Sequence, residues 1–305
     1  MLPAILGSAT PPNTNVGVVE NKGIDILLGS KGRWSRDWSW DATVTFSSYA
    51  NKIIKLNDRN SFPPGISTIF NKPYVLNEVG HPISSFYGFN VIGIFKDASE
   101  VSKAPYQDEK KPGRFRYLDV NGDDTVNAKD RIHIGNPNPD FTLGLNFGIN
   151  YKNFDFTVFF YGSFGNEVVN IPKSFTDFYQ PADWAKSKAL LYDSWTPGHT
   201  DARLPMAELD NNFSTNQVVN SYVVEDGSYF RNKSMILGYT LPGSWLQKIK
   251  LEKMRLYIQA INLFTITKYT GLDPELSGNS AAFGIDYGNF PNNQKQFVFG
   301  IGLNF

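Results

Sequence analysis

The sequence has no cysteine among its 305 residues, which excludes disulfide frameworks and thiolate metal sites. It has no apolar run that approaches the ~20 residues of a membrane-spanning helix. This does not exclude transmembrane barrel strands, which need only ~9–11 residues. It has no excess of either charge, because 29 basic residues face 29 acidic ones, so we expect no nucleic-acid partner. Residues 1–7 lack the basic start and apolar stretch of a signal peptide, which predicts either a cytoplasmic protein or a piece of a longer one.

Aromatic residues are plentiful, at 15% of the chain, and many stand in alternating segments. In residues 297–305 every odd position is large and apolar, and every even position except Val298 is small or polar. Such a strand turns one face to an apolar medium and the other to a wet or crowded one. Similar alternation recurs at 24–28, 38–47, 141–151, 154–161, 235–241 and 254–260. Polar faces of Ser, Thr, Asn, Gly and Tyr, rather than Lys and Glu, favour a water-filled barrel over a β-sandwich.

The connections between these segments fall into two length classes. Three are short, at 29–37, 152–153 and 242–250, and three are long, at 51–140, 165–229 and 268–296. Compact soluble domains seldom carry several connections beyond ~15 residues, whereas bacterial outer-membrane barrels pair short periplasmic turns with long extracellular loops. Six aromatic residues adjoin the short turns, as an interfacial girdle requires: Trp34, Trp38, Trp40, Tyr151, Phe154 and Trp245.

The alternation of short and long connections predicts seven membrane strands, at 18–28, 37–49, 141–151, 154–164, 230–241, 251–265 and 297–305. The strand-like segment 86–95 then belongs to the first long loop, and a helix over 182–192 belongs to the second. Bacterial single-chain barrels have an even number of strands. Seven strands therefore predict the C-terminal part of a larger all-β, antiparallel barrel, which cannot close a pore by itself.

Several motifs, in order along nearly the whole chain, resemble the SusC/RagA family of TonB-dependent outer-membrane transporters. They are the segments 15–17 with 21–25, 119–123, 135–141, 224–229, 237–242, 262–264 and 269–275. Residues 119–123 read Asp-Val-Asn-Gly-Asp, and residues 269–275 read Tyr-Thr-Gly-Leu-Asp-Pro-Glu. Two positions depart from the family pattern: Asp124 stands where relatives usually carry glycine, and residues 230–233 read Phe-Arg-Asn-Lys rather than Leu-Arg-Leu-Lys.

The resemblance implies an N-terminal plug and a 22-stranded barrel, of which residues 1–305 would be the C-terminal part, without signal peptide, plug and first strands. It also implies a SusD-like lipoprotein lid, energy relayed by TonB, and import of oligosaccharides, or in some cases peptides. The location implied is the outer membrane of a Gram-negative, Bacteroidetes-like cell, with lipid around the barrel. Phe305 would be the terminal aromatic that the outer-membrane assembly machinery reads.

The segment 119–130 has the donor spacing of a calcium loop. Oxygen donors fall at Asp119, Asn121, Asp123, Thr125 (through its backbone) and Asp130. Against this assignment, Asp124 replaces the glycine of the sharp turn, and position 12 is Asp rather than the longer Glu. The alternative is a polar turn held by its own side chains. A bound calcium ion would be structural, and we expect no other cofactor to be required.

The long loops carry aromatic residues that are candidate contacts for a sugar substrate or a lid, chiefly Tyr179, Trp184 and Trp195. The alternative for these side chains is packing within the loops. Residues Asp155, Tyr161, Arg255, Tyr257 and Gln259 are placed to face the barrel interior, where they line either a path or a solvated wall.

Nothing in the sequence predicts an enzyme. His81, His133 and His199 are far apart and stand in no metal-ligand spacing. Asp273 and Glu275 flank a proline, which indicates turn chemistry more than acid–base catalysis. Two function hypotheses follow: the barrel part of a SusC-like importer, or a secreted, calcium-dependent, all-β glycan-binding module. The second leaves the apolar strand faces unexplained.

Overall fold

The computed structural model describes residues 17–56, 60–62, 73–179, 185–247, 251–276, 278, 282–291 and 293–305. In chain order the strands are β1 (Gly17–Arg33), β2 (Trp38–Leu56), β3 (Ser61–Phe62), β4 (Asn77–Glu78), β5 (Phe86–Gly88), β6 (Val91–Ile94), β7 (Tyr106–Gln107), β8 (Phe115–Tyr117), β9 (Thr125–Val126), β10 (Ile132–Gly135), β11 (Phe141–Tyr151), β12 (Phe154–Phe164), β13 (Glu167–Asn170), β14 (Val224–Asp226), β15 (Tyr229–Thr240), β16 (Lys253–Ile261), β17 (Thr265–Thr267), β18 (Ile285–Asp286) and β19 (Gln296–Asn304). The helices are α1 (Ala98–Lys103), α2 (Lys173–Thr176), α3 (Lys188–Tyr192) and α4 (Gly243–Leu246), with 3₁₀ turns at Ala128–Asp130 and Ser221–Val223.

One large antiparallel sheet contains the seven long strands in the order β1-β2-β11-β12-β15-β16-β19. The short strand β17 extends the same sheet by pairing with β15 beyond the end of β16. The seven predicted strands and the all-β, antiparallel fold are therefore confirmed, with β1 and β2 longer than expected. Within the described residues β1 and β19 are the two edges of this sheet, so it is an open segment of wall.

The short turns gather at one end of the sheet, together with the predicted aromatic girdle. Lys152, at φ 50°, makes the two-residue turn between β11 and β12. Trp38 stacks on Tyr151 with ring centroids 4.2 Å apart, and Trp34 lies 6.4 Å from Trp38. Such amphipathic rings prefer the boundary between an apolar and an aqueous medium, so this end of the sheet has the composition of an interface.

The three long connections meet at the opposite end, and we call their described residues between 60 and 140, 166 and 228, and 262 and 295 the loop assembly. Small sheets tie it together, such as β5 with β10 and β13 with β14 and β18. Its first apolar cluster draws on all three connections and includes Tyr74, Val169 and Ile285. The second cluster packs Phe115, Tyr117 and Phe178 with their neighbours. The segment 86–95 lies here as β5 and β6, as the strand count predicts.

The helix expected over 182–192 is shorter than predicted. Residues 182–184 lie outside the described residues, and α3 begins only at Lys188, with the Ser187 hydroxyl accepting a hydrogen bond from the backbone N–H of Leu190 as its N-cap. Residues 185–187 therefore lead into the helix rather than belonging to it. None of the helices in the described ranges is long and apolar enough to cross a membrane.

Candidate functional site

The strand register joins the apolar positions of all seven strands into one continuous face. Leu145 pairs with Val44 on one side and with Phe160 on the other. Across the sheet, Leu237 pairs with Ile258, which in turn pairs with Phe299. Many of these side chains are exposed, and Phe299 is 78% exposed. A continuous exposed face of this kind is stable only against an apolar medium or another apolar surface.

The opposite face of the sheet carries polar side chains that bind one another across strands. Arg255 donates two hydrogen bonds to the carboxylate of Asp155, at 2.9 and 2.5 Å. A Cβ on Gly238 would lie within 2.6 Å of both partners, so glycine leaves the space that this ion pair fills. Gln259 donates to Ser234 at 3.0 Å in the same manner. The predicted interior residues thus share one face, and the two charged ones, Asp155 and Arg255, neutralise each other.

A charged cluster lies on this polar face where β15 approaches the loop assembly. Arg231 is 2% exposed, and its guanidinium donates to Asp273 at 2.5 Å and to Glu275 at 2.7 Å. Lys233 donates to both carboxylate oxygens of Glu275, at 2.7 and 2.6 Å. Two cations thus balance two carboxylates, which a buried site requires. The strand register shifts by one residue between Phe159 and Phe160, beside this cluster.

Asp273 and Glu275 therefore do more than form a turn: they anchor the third long connection to the wall. Next to them lies an open cavity of about 550 Å³, lined by polar and aromatic residues that include Glu275, Tyr287 and Asn289. A second cavity of about 700 Å³ shares Leu272 and Asp286 with the first. The loop assembly thus holds two adjoining clefts above the polar face.

The hydroxyls of Tyr222 and Tyr269, both in the loop assembly, donate hydrogen bonds to carboxylates. The Tyr222 hydroxyl donates to Asp177 at 2.6 Å, and burial, together with this carboxylate, raises the pKa of Tyr222 far above its usual value. The Tyr269 hydroxyl donates to Asp286 at 2.6 Å, and the pKa of Tyr269 is raised by the same two causes. Both hydroxyls therefore stay protonated and act as hydrogen-bond donors at physiological pH.

The predicted calcium loop is a turn held by its own side chains. The Asp119 carboxylate accepts from the backbone N–H of Gly122 and of Asp124, at 2.8 and 2.9 Å. Asp124 adopts φ 60°, so it takes the left-handed conformation that glycine usually supplies at this position. Asp130 is fully buried and accepts from the backbone N–H of Val120 and of Asn127. The oxygens of Asn121 and Asp123 accept backbone N–H groups two residues ahead.

These hydrogen bonds join the side chains of the segment to its own backbone. In the described part of the chain, the carboxylates of 119–130 do not form a group of three within ligand distance of one another. Calcium binding by Asp119, Asn121, Asp123, Thr125 and Asp130 stays a prediction.

The other predicted site residues lie in different settings. Tyr179 is 47% exposed on the loop assembly. The ring of Trp195 packs against the loop, since a Cβ on Gly113 would lie 2.5 Å from it. Trp184 lies outside the described residues. Phe305 follows the last strand and is 85% exposed. The roles predicted for all four stay predictions.

The sequence spacing of the histidines did not predict that tertiary structure brings two of them together. The rings of His81 and His133 stack with centroids 3.7 Å apart, beside Glu78. The two positions are separated by 52 residues, and only the pairing of β5 with β10 and the turn after β4 makes them neighbours. The pairing of Arg231 with Asp273 was missed for the same reason, although the basic Arg-Asn-Lys and acidic Asp-Pro-Glu motifs were both visible.

An open wall of antiparallel strands with an apolar and a polar face, short turns at one end and long loops at the other, defines a segment of a transmembrane β-barrel. No family model matches the chain. The chain is similar to TonB-dependent receptor P3 of Formosa agariphila, with 33% identity over 303 residues, which cover 95% of this chain and 29% of that protein. It is 26% identical to TonB-dependent receptor SusC of Bacteroides thetaiotaomicron, over 95% of this chain and 27% of that protein.

Among solved structures, the chain superimposes on that of the RagAB peptide transporter with a TM-score of 0.78 and 26% identity. The superposition covers 100% of this chain and 31% of the matched chain. The chain thus spans less than a third of the length of the relatives that it matches. It belongs to the SusC/RagA family of TonB-dependent receptors, of whose barrel it forms a part.

Proposed function

We propose that this chain is part of the barrel wall and of the extracellular loops of a TonB-dependent importer in the outer membrane. The observation that carries the proposal is the two-faced sheet: its apolar side chains lie on a continuous exposed face, and the ion pair of Arg255 with Asp155 lies on the other. Lipid on one side and a water-filled or plug-filled interior on the other would satisfy both faces.

The polar face fits the wall of a path for a neutral, hydrophilic solute. Two ion pairs lie within this wall, Asp155 with Arg255 and Glu275 with Lys233, and the charges within each pair cancel. Such a wall supplies hydrogen bonds without holding an ionic solute strongly. The exposed side chains of the smaller cavity, Tyr287 and Asn289, add an aromatic face and an amide.

We propose an oligosaccharide as the imported nutrient, because sugar rings stack on aromatic faces and their hydroxyls pair with amides and carboxylates. A peptide is the second candidate, and the likeness to a structure described as a peptide transporter favours it. We also propose that a SusD-like lipoprotein covers the loop assembly, whose outer surface includes the exposed Tyr179. TonB would act through parts of the receptor outside this chain.

Growth of a deletion strain tests the substrate. The gene that encodes the full receptor is deleted in its host, and growth on single purified oligosaccharides is compared with growth on peptides as the nitrogen source. Loss of growth on at least one glycan, restored by the parent gene, is the expected result. A defect confined to peptides would replace the oligosaccharide by a peptide, and unchanged growth and uptake on both would contradict import.

A variant within the loop assembly tests the cavity. Tyr287→Ala is expected to lower the uptake rate of the glycan without changing the amount of receptor at the cell surface. Tyr106→Ala is the matched control, because Tyr106 is similarly exposed, at 59% against 44%, and does not line either cavity described above. Equal uptake by both variants and the parent would remove Tyr287 from the path.

Fractionation tests the alternative of a secreted glycan-binding module. The importer is expected in the outer-membrane fraction and to need detergent for extraction, because of its exposed apolar face. Recovery of the full-length product in the medium without detergent would favour the module.

Calcium titration of the intact protein tests the loop at 119–130, with Asp119→Ala and Asp123→Ala as controls. Equal binding by variants and parent would refute that site.

A further inference from the structure

Three side chains with metal-binding atoms meet where the loop assembly contacts the end of β2. They are Glu78, His81 and His133, and their ligand atoms all lie within 4.8 Å of one another. The Nε2 atom of His133 is 3.0 Å from Oε2 of Glu78. Among the residues that the structure describes, no other three side chains of this kind come as close.

Backbone geometry places these three side chains together. A turn follows β4, in which Gly80 adopts φ 95° and the backbone N–H of His81 donates to the carbonyl of Glu78 at 3.1 Å. Two backbone hydrogen bonds fix the turn on β2, from Gly80 to Ile53 and from Ile53 to His81. His133 approaches from a different segment, on β10, which β5 holds in register. A ligand shared by the three would therefore join two separate parts of the first long connection.

The stacked pair has unused coordinating capacity. Nδ1 of His133 is buried and has no hydrogen-bond partner among the described residues, so one ring nitrogen is left over whichever tautomer is present. A ring nitrogen of this kind can offer its lone pair to a metal ion.

We propose that Glu78, His81 and His133 bind one divalent transition-metal ion of the Zn²⁺ class. Two imidazole nitrogens and a carboxylate oxygen are a common ligand set for this ion, with the fourth position left to water. Tetrahedral ligands at Zn²⁺ lie about 3.3 Å from one another, and the ligand atoms here lie within 4.8 Å, so binding requires the wider separations to contract. The rings must also splay, because stacked rings direct their lone pairs nearly in parallel. We expect the His81 ring to rotate, because this side chain lies on the turn. The bound ion would connect that turn to β10, at the end of the sheet that carries the long connections.

The test measures metal binding by the full-length receptor, purified in detergent through a tag without histidine and stripped with a chelator. Zn²⁺ is titrated calorimetrically, and Co²⁺ is used as a spectroscopic substitute whose absorption reports tetrahedral nitrogen and oxygen ligands. We expect one equivalent to bind, with affinity lowered at least about tenfold in His81→Ala and in His133→Ala. His199→Ala is the matched control, because His199 is exposed in another part of the loop assembly, and it should bind as the parent does.

A conservative variant separates lost binding from lost folding. Glu78→Gln keeps a hydrogen-bond partner for His133 but removes the carboxylate charge, and we expect weaker binding with unchanged hydrogen exchange of the metal-free protein. In the parent, Zn²⁺ should slow exchange of peptides that cover residues 78–83 and 132–135, and not of those that cover 196–202. No binding tighter than about 100 µM in the parent, or equal binding by parent, His81→Ala and His133→Ala, would overturn the proposal.

Discussion

The sheet and the loop assembly place the same apolar residue types in opposite environments, exposed in the sheet and buried in the loop assembly. In the sheet, Phe299 and Ile301 are 78% and 63% exposed, and the charged Arg255 and Asp155 pair on the other face. In the loop assembly, Phe115 and Phe86 are 1% and 0% exposed, and charged side chains such as Lys96 and Asp201 pair at the surface. One chain thus contains a conventional core and an inverted one.

This difference shows that the hydrophobic effect removes apolar groups from water but does not decide which face of a strand or loop carries them. The loop assembly lies in water, so it must bury its own apolar groups in the clusters around Val169 and Phe115. In the outer membrane proposed above, the sheet would have an apolar neighbour outside and would therefore need few buried apolar groups of its own. Substitutions of similar chemistry should consequently have different effects in the two regions.

The largest effect is expected from removing an aromatic ring from the loop core. Phe115→Ala should destabilise the loop assembly by about 3–5 kcal/mol, because it deletes a fully buried ring that contacts Phe178 and Tyr222. Hydrogen exchange of the peptides that cover residues 86–95 and 213–223 measures this change in the full-length receptor. Phe299→Ala is the control, and its exchange in those peptides should match the parent. Equal protection of all three proteins would show that the loops are not held by this core.

A somewhat smaller effect is expected at the junction between the two regions. Arg231→Met should destabilise the anchoring of the third connection by about 3 kcal/mol, because Asp273 would be left buried and unpaired while Glu275 keeps Lys233. Faster exchange or proteolysis within residues 269–276 is the readout. The double variant with Asp273→Asn should recover part of the loss, and failure to recover would mean that Arg231 acts through packing rather than charge.

A charge on the apolar face should act on membrane insertion rather than on the loops. Phe299→Arg is expected to cost about 2–3 kcal/mol in the lipid-inserted barrel, since an arginine near mid-depth faces hydrocarbon. Urea unfolding in lipid vesicles measures the free energy. Asn146→Arg, on the polar face of β11, is the matched control and should cost much less. A larger cost for the Asn146 variant would mean that the two faces have been assigned the wrong way round.

The smallest effect is expected from a pH-sensitive contact in the loop assembly. Burial raises the pKa of Glu167, with Asp226 and Asp140 adding to the rise and the backbone N–H of Asn136 opposing it. The folded state therefore holds its proton to higher pH than the unfolded state, and the stabilisation is present at acidic pH and lost as pH rises through the folded pKa.

Glu167→Gln mimics the protonated form and keeps an acceptor for Asn136. At pH 7 it should slow opening of residues 134–137 by roughly twofold to threefold, a modest effect because the carboxyl is only half-buried. Hydrogen exchange corrected for its intrinsic pH dependence measures it. The difference from the parent should vanish near pH 4, and a difference that grows as pH falls would contradict the assigned direction.

The seven strands and the two ends of the sheet could be predicted from the sequence, because alternation has a period of two and the connections fall into two length classes. The aromatic residues near the short turns added the interface. The helix was predicted too long, since Ala and Lys at 185–188 have helical propensity but the capping serine at 187 delays the start.

Local periodicity and connection length are enough to identify the strands of the wall and the apolar face of each. They do not reveal which distant charges and ring nitrogens meet, because contacts between His81 and His133, or between Arg231 and Asp273, depend on how the long connections fold. Such contacts leave no periodic trace in the chain, since side chains dozens of residues apart are placed by the packing of other segments between them.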